Sequence, residues 1–155
     1  MAETTKTAAE EKDQISSEAV VVDTDGFGES AMSDEVVVEV NDLQTYFTTR
    51  WGTVKAVDGL SFYVKRGETL GIVGESGSGK SVTALSLMRL VPSPPGQIVG
   101  GQVLLNGRNT LEISEREMTA VRGGEISMIL QDPMQALNPV FNIQNQVGEA
   151  IKIHQ

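Results

Sequence analysis

The feature that most constrains the fold of this chain is a glycine-rich run, Gly-Glu-Ser-Gly-Ser-Gly-Lys-Ser, at residues 74–81. A short apolar segment at 69–73 precedes it, and residues 80–91 place apolar side chains at the spacing of an amphipathic helix. The run fits the pattern G-x-x-x-x-G-K-[ST], which requires a strand before it and a helix after it. Both flanks are present, so we predict a strand, a phosphate-binding loop and a helix in this order.

The residue types of this loop suit the recognition of phosphate. Glycine has no Cβ, so the backbone can curl until successive N–H groups donate to phosphate oxygens. The helix that follows adds partial positive charge at its N-terminus. Lys80 can reach the β- and γ-phosphates, and the Ser81 hydroxyl is placed to ligate Mg²⁺. The predicted ligand is a nucleoside triphosphate with magnesium, bound by Gly74, Glu75, Ser76, Gly77, Ser78, Gly79, Lys80 and Ser81.

Two other interpretations of the run explain it less well. A turn that merely joins a strand to a helix needs one or two glycines and no Lys-Ser pair, and it would bind no ligand. A dinucleotide-binding loop needs the spacing G-x-G-x-x-G, which Gly74, Gly77 and Gly79 do not give. Both interpretations are therefore less favoured than a phosphate-binding loop.

Charge divides the chain into two parts. Residues 1–35 contain ten acidic residues against Lys6 and Lys12, whereas 36–155 contain eleven acidic and ten basic residues. The formal net charge of −9 therefore lies almost entirely in 1–35, where we expect an acidic, disordered tail. One folded part is expected over 36–155. Nucleic-acid binding is disfavoured, because phosphate backbones require clustered Lys and Arg.

Hydrophobic periodicity predicts the other elements of the folded part. A strand begins at Val36, a turn is expected at Trp51-Gly52, and apolar residues at even positions from 54 to 64 indicate a second strand with one buried face. The further elements expected from such patterns are a strand at 103–105 ending in an Asn106-Gly107 turn, a capped helix at 114–121, a buried strand at 126–130 and a helix from Ile143.

A second motif points to a family. After the apolar segment 126–130, residues 131–139 read Gln-Asp-Pro-Met-Gln-Ala-Leu-Asn-Pro. This run resembles the Q-loop of ABC transporter ATPases, in particular the oligopeptide/dipeptide (peptide/nickel) permease subgroup. The resemblance covers about residues 36–155. Further segments that match the subgroup are 57–62, 67–68, 71–81 and 122–123.

The resemblance implies an ATP site that holds Mg²⁺. It implies catalytic roles for Lys80 and Gln131, and it places Ser81 and Gln131 at the metal. A neutral amide suits this role of Gln131, since it offers an acceptor for metal or water and donors for an oxygen. The family also stacks an aromatic side chain on adenine. Trp51 is the first candidate for that contact, with Tyr46 and Phe47 as rivals in the same strand region.

The resemblance also implies an architecture and a set of partners. The expected fold is α/β, a P-loop NTPase core with an antiparallel β subdomain, truncated before the helical subdomain is complete. Family members couple ATP binding and hydrolysis to uptake of peptides or similar small solutes. They are peripheral at the cytoplasmic face of the membrane, with a second ATP-binding subunit, transmembrane permease subunits and, indirectly, an external solute-binding protein. The sequence has no signal-peptide pattern and no apolar stretch of membrane-spanning length.

Other motifs of the family do not appear in the sequence up to Gln155: the Leu-Ser-Gly-Gly-Gln signature, the later aspartate and catalytic glutamate, and the switch histidine. We therefore expect these 155 residues by themselves to bind ATP with little or no turnover. Two alternatives stay open. One is a compact P-loop NTPase or kinase in which Asp132 ligates Mg²⁺, and the other is a nucleotide-responsive binding module without a membrane partner.

Overall fold

The computed structural model describes residues 20–22, 34–131 and 137–154. Its strands and helices are β1 (Val20–Val22), β2 (Val36–Thr49), β3 (Gly52–Lys65), β4 (Gly71–Val73), α1 (Lys80–Leu87), β5 (Gly96–Leu105), β6 (Arg108–Asn109), α2 (Glu115–Gly124) and α3 (Ile143–His154). Within these ranges, no helix combines the length and the apolar character needed to cross a bilayer.

The largest element is a four-stranded antiparallel sheet in the order β3-β2-β5-β6. β2 and β3 form a hairpin in which Thr49 pairs with Gly52, so residues 50–51 make the turn. The Asn-Gly turn at 106–107 joins β5 to β6, and both of its residues have positive φ, as in a type I′ turn. The strand that begins at Val36 and the Asn106-Gly107 turn are confirmed, and the turn expected at Trp51-Gly52 lies one residue earlier, at 50–51.

β-Bulges decide which face of the hairpin is buried. The pairing register of β2 with β3 shifts at several points after Val40, and Asp42 adopts a φ of 49° there. Each one-residue shift moves the side chains that follow to the opposite face. Val57, at an odd position, is consequently only 5% exposed, whereas Val54 is 53% exposed. The expectation that even positions from 54 onward are buried is wrong in the first half of β3.

The sheet positions both of the first two helices. The central cluster of buried side chains comes from β2, β3 and β5, and α1 packs against it. Its members are Val40, Leu43, Val57 and Val103, with Val82 and Leu87 contributed by α1. A second cluster joins α2 to the end of β5 through Leu105, Met118 and Val121. Burying such a side chain contributes about 1.5–3 kcal/mol, so these contacts fix α1 and α2 relative to the sheet.

β4 leads directly into the glycine-rich loop, and its surroundings differ from the expectation. The apolar run predicts a strand covered on both faces, but Val73 is 51% exposed, and among the described residues β4 pairs only with β1. β1 (Val20–Val22) belongs to the segment expected to be disordered. Three β-branched residues suit a strand, and the edge of β4 gives them a pairing partner. The rest of 1–33 lies outside the described residues.

The predicted boundaries of α2 and the predicted start of α3 are confirmed. The Ser114 hydroxyl accepts the Glu117 N–H, and the Glu117 carboxylate accepts the Ser114 N–H at 2.9 Å, which is the expected capping box. Arg122 and Gly123 leave the helical conformation, so the regular part of α2 ends at 121. α3 begins at Ile143.

Two other element predictions have wrong boundaries. α1 ends at Leu87, before residue 91, because Arg89 adopts a left-handed φ of 51°. The helix therefore ends before the first proline, Pro92, is reached. β5 begins at Gly96, well before residue 103. Antiparallel pairing with β2 extends it through the glycines at 100 and 101, although glycine is depleted in strands.

The buried strand expected at 126–130 is not formed. Ile126 makes an isolated bridge with Arg122, and the side chain of Ile129 is 97% exposed. A strand needs neighbours that satisfy its backbone N–H and carbonyl groups. The described part of the chain places no neighbour beside 127–130, so the apolar composition of this segment does not make it a strand here.

Candidate functional site

The glycine-rich loop turns from β4 into α1 over residues 74–79. Gly77 and Gly79 have φ values of 85° and 91°, a left-handed conformation that favours glycine. The Ser78 N–H donates to the Glu75 carbonyl at 3.2 Å and closes a turn within the loop. α1 then begins at Lys80, with Gly79 as its N-cap. The predicted order of strand, loop and helix is confirmed.

Close packing also limits what can replace two glycines of the loop. A Cβ on Gly79 would clash with the backbone carbonyl oxygen of Ala56 in β3, and a Cβ on Gly74 would lie 2.5 Å from the Ser78 hydroxyl oxygen. The end of the loop therefore touches the backbone of β3 directly. The antiparallel sheet, through this contact, sets the position at which α1 begins.

Lys80 is bound by oxygens of the loop that precedes it. Its Nζ donates to the carbonyl oxygens of Gly74 at 2.8 Å and Glu75 at 2.7 Å, and to the Ser78 hydroxyl at 3.2 Å. An ammonium group has three donors, so these neutral acceptors occupy all of them. These bonds are already strengthened by the charge of the donor, but a phosphate oxygen would add a full opposite charge on the acceptor. A phosphate at the loop would therefore displace these acceptors favourably.

The surroundings of the loop fit an anion. The first turn of α1 contains no acidic residue, so nothing there opposes the positive end of the helix dipole. Glycine at 74, 77 and 79 adds no side chain of its own beside the backbone N–H groups of the loop. With Lys80 beside them, the loop residues offer a cation and backbone donors to one ligand. The structure thus brings together all eight loop residues that the sequence predicts as a phosphate site.

The residues predicted to hold Mg²⁺ supply suitable oxygen atoms. Ser81 and Gln131 are both exposed, and Mg²⁺ prefers oxygen ligands supplemented by substrate phosphates. The described ranges contain no group of three or more His, Cys, Asp or Glu that could hold a metal ion. The oxygen atoms of Ser81 and Gln131 therefore fit a cation that is shared with phosphate oxygens.

The structure does not join Gln131 to the phosphate loop by a hydrogen bond within the described ranges. Gln131 follows the irregular segment 127–130 and is exposed. Residues 132–136, which include Asp132 of the compact NTPase alternative, lie outside the described residues. The roles of Gln131 and Asp132 at a metal remain predictions.

The three aromatic candidates for the adenine contact differ in exposure. Trp51 is 81% exposed at the hairpin turn, and the Arg50 guanidinium lies 4.0 Å from its ring centroid. The Tyr46 hydroxyl donates to the Asp58 carboxylate, and this hydrogen bond raises the pKa of Tyr46 above its ordinary value. Phe47 is half-buried. Trp51 has the most open ring and stays the leading prediction.

A buried pair of hydroxyls anchors α1 to the sheet, and sequence reasoning missed it. Thr45 of β2 and Ser86 of α1 are each 0% exposed, and their hydroxyl oxygens are 2.8 Å apart. Ser86 donates its proton to the Val82 carbonyl at 2.7 Å, so Thr45 is the donor within the pair. The apolar stripe predicts other residues of α1 as the packed face. No local signal pairs a strand Thr with a distant helix Ser.

Sequence reasoning also missed the group that holds the C-terminus of α1. Arg122, at the end of α2, donates from Nε to the Met88 carbonyl at 2.8 Å and from Nη2 to the Arg89 carbonyl at 3.0 Å. The resemblance includes Arg122-Gly123 but assigns them no role. α1 is therefore positioned at both ends, by the Gly79 contact with β3 and by Arg122.

Comparison with known proteins relates the chain to a family. The ABC transporter family model matches residues 57–154. The chain is 52% identical over 120 residues to the probable peptide ABC transporter ATP-binding protein y4tR of Sinorhizobium fredii, covering 77% of this chain and 36% of that protein. It is 48% identical over 119 residues to the oligopeptide transport ATP-binding protein OppD of Bacillus subtilis, covering 77% and 33%. The chain spans about a third of the length of these relatives.

A solved structure shares the fold. The dimeric structure of MJ0796, a bacterial ABC transporter cassette, matches with a TM-score of 0.66 and 20% sequence identity, over 76% of this chain and 48% of that chain. This likeness confirms the predicted α/β fold, a P-loop NTPase core with an antiparallel β subdomain. The family match includes both the glycine-rich loop and the run that begins at Gln131. By the extent of that match, the chain belongs to the ABC transporter family.

Proposed function

We propose that this chain is the ATP-binding portion of an ABC importer subunit, which couples ATP binding and hydrolysis to the uptake of peptides or similar small solutes. The observation that carries the proposal is the position of Lys80, whose Nζ is held by neutral loop oxygens at the N-terminus of α1. The names of the relatives, peptide, oligopeptide and dipeptide transport ATP-binding proteins, support the class of solute.

The residues of the loop divide the work of binding. Lys80 leaves the Gly74 and Glu75 carbonyls and donates to the β- and γ-phosphates, while other backbone N–H groups of the loop donate to the remaining phosphate oxygens. Ser81 and Gln131 would hold Mg²⁺, which when bound would neutralise charge on the phosphates. Gln131 keeps its amide at the γ-phosphate and so responds to the occupancy of that position.

Trp51 is proposed to stack on adenine. Its ring is open, with Arg50 close to it. Ala56, which contacts Gly79 of the loop, is five residues farther along the hairpin, or about 16 Å at roughly 3.3 Å per strand residue. A nucleotide that lies along the start of β3 would place its base at Trp51 and its phosphates at the loop.

The partners and location follow from the family relation. In the proposed assembly a second ATP-binding subunit faces this one, and transmembrane permease subunits contact both on the cytoplasmic side of the membrane. Solute arrives at the permease from an external binding protein. The match to the ABC transporter family over 57–154 supports this proposal against a compact kinase that uses Asp132. It also supports it against a binding module without a membrane partner.

Calorimetric titration of the 155-residue chain with ATP and Mg²⁺ tests the proposal. The wild-type chain binds, and Lys80→Met lowers the affinity at least about tenfold, because hydrogen bonds from a charged donor contribute roughly 1.5–3 kcal/mol. Lys152→Met, in α3, is the matched control and leaves the affinity unchanged. Trp51→Ala in the same titration reports the adenine contact, with a loss of about 1–3 kcal/mol. The proposal would be contradicted if the chain did not bind ATP, or if Lys80→Met left the affinity for ATP unchanged.

A further inference from the structure

The C-terminus of α1 ends in a conformation that normally calls for glycine. The Arg89 N–H donates to the Ser86 carbonyl at 3.0 Å, and the Leu90 N–H donates to the Leu85 carbonyl at 2.8 Å. These two bonds form a Schellman motif, in which the residue at the position of Arg89 is left-handed. Arg89 has a φ of 51°, which costs an L-residue about 1–2 kcal/mol. An arginine here needs compensating contacts.

The Arg89 side chain makes such contacts with the chain that leads into α2. Its Nη1 donates to the Thr110 carbonyl at 3.2 Å and to the Ile113 carbonyl at 2.8 Å. Its Nη2 lies 3.3 Å from the Glu115 carboxylate. The left-handed residue at the end of α1 is thus tied to the start of α2.

Arg122, in the last turn of α2, also binds the C-terminus of α1. It donates to the Met88 and Arg89 carbonyls, which no longer have partners within α1, and its Nη1 donates to Glu115 at 2.6 Å. The Arg122 side chain is 21% exposed and that of Glu115 is 63% exposed. An ion pair with so exposed a carboxylate contributes little. The hydrogen bonds to the helix carbonyls are therefore the main contribution of Arg122.

Arg122 also lies within a backbone turn that follows the regular part of α2. Arg122 has a ψ of 119° and Gly123 a φ of 87°, so the chain turns sharply there. The Gly123 N–H donates to the Ile126 carbonyl at 2.8 Å, and the Ile126 N–H donates to the Val121 carbonyl at 3.1 Å. This turn fixes where the segment 126–131 starts, and that segment ends at Gln131.

We propose that Arg122 is a positioning residue that couples the phosphate loop to Gln131. Its side chain holds the end of α1, and the backbone of its two neighbours, Val121 and Gly123, holds Ile126 at the start of the segment that carries Gln131. α1 has eight residues and is about 12 Å long at 1.5 Å per residue. A shift at its nucleotide-binding end is thus transmitted to its other end. The inference rests on the proposed ATP-binding function.

The first test compares ATP affinities at matched stability. Arg122→Gln removes the guanidinium and is expected to weaken ATP binding roughly 2- to 30-fold, the range for residues that couple sites without contacting the ligand. Arg122→Lys gives an intermediate loss, since one ammonium cannot reproduce the planar fork. Ser114→Ala is the control: Ser114 caps α2 through hydrogen bonds with Glu117, so loss of its hydroxyl destabilises α2 and removes none of the contacts that Arg122 makes.

Affinity is measured by calorimetry under conditions where urea unfolding shows each variant to be folded. Equal losses of affinity in Arg122→Gln and in an equally destabilised Ser114→Ala would overturn the proposal, because the effect would then follow stability alone. If Arg122→Gln does not fold, Arg122→Lys replaces it against the same control. A retained wild-type affinity in Arg122→Lys would then count against the role.

The second test reads the coupling directly by amide hydrogen exchange at residues 126–131. ATP with Mg²⁺ slows exchange there in the wild-type chain and in Ser114→Ala, but not in Arg122→Gln at saturating ATP. Equal slowing in Arg122→Gln, or no change in a wild-type chain that binds ATP, would overturn the inference and leave the proposed function intact. A wild-type chain that does not bind ATP at all would instead refute the proposed function.

Discussion

Gly77 and Gly79 lie in the same loop but are constrained differently. Both have left-handed φ values, of 85° and 91°. At Gly77 an added Cβ meets no atom within 4 Å, whereas at Gly79 it meets the carbonyl oxygen of Ala56. A larger residue at position 77 would therefore be disfavoured by its left-handed backbone conformation alone. At Gly79 the strain is joined by a clash with a backbone atom of β3, which cannot rotate away as a side chain can.

Alanine substitution separates these two constraints. Gly77→Ala should lower the free energy of unfolding by about 1–2 kcal/mol, the cost of the left-handed conformation. Gly79→Ala should cost more, because β3 must move away from the loop. Urea denaturation followed by circular dichroism measures both. A Gly79→Ala protein as stable as Gly77→Ala would show that the contact with Ala56 does not hold the loop in place.

The buried hydroxyl pair of Thr45 and Ser86 predicts an asymmetric response to mutation. Ser86→Ala leaves the Thr45 donor buried without an acceptor, which should cost about 1–3 kcal/mol. Thr45→Val leaves Ser86 still donating to the Val82 carbonyl, so its cost should be nearer 0.5–1.5 kcal/mol. Chemical denaturation of both single variants and the double variant measures this. A greater loss for Thr45→Val would mean that the hydrogen bonds run in the opposite direction.

At the scale of elements, the features that the sequence predicts correctly are those decided by adjacent residues. The capping box of α2 needs only Ser114 and Glu117, and the turn after β5 needs only an Asn-Gly pair. The glycine-rich loop is also local, because its glycines, its lysine and its flanking elements occupy one continuous segment. The phosphate-binding part of the candidate site was predictable for this reason.

The wrong predictions concern elements whose limits depend on distant residues. α1 ends earlier than predicted, at a point where Arg122 donates to the carbonyls of Met88 and Arg89. Arg122 lies 34 and 33 residues after these two residues in the chain. β5 begins early because β2 pairs with it. Segment 126–130 has the composition of a strand but no neighbour among the described residues. The hydrophobic periodicity of one segment does not show which distant residues will contact it. The ends of these helices and strands could therefore not be predicted from it.

At the scale of the whole molecule, ionised carboxylates hold several parts together. A hydrogen bond from Arg66 lowers the pKa of Glu35, and hydrogen bonds from Tyr46 and Lys55 lower that of Asp58. Arg122 lowers the pKa of Glu115, and the Ser114 hydroxyl lowers that of Glu117. All these carboxylates are solvent-exposed, so each contributes modestly. They act in the same direction because each is bound in its ionised form.

These lowered pKa values predict that the protein loses stability in acid. Each carboxylate binds protons less readily when folded than when unfolded, so its contribution is complete above its ordinary pKa, 4.5 for glutamate. The contribution is lost as the pH falls through the lower, folded pKa. The urea midpoint at constant ionic strength should therefore be lower at about pH 3.5 than at about pH 7. Glu115→Gln should reduce the difference, since it removes one titrating group and leaves the carbonyl contacts of Arg122 available. An unchanged or higher midpoint in acid would show that these hydrogen-bonded carboxylates do not contribute to folding.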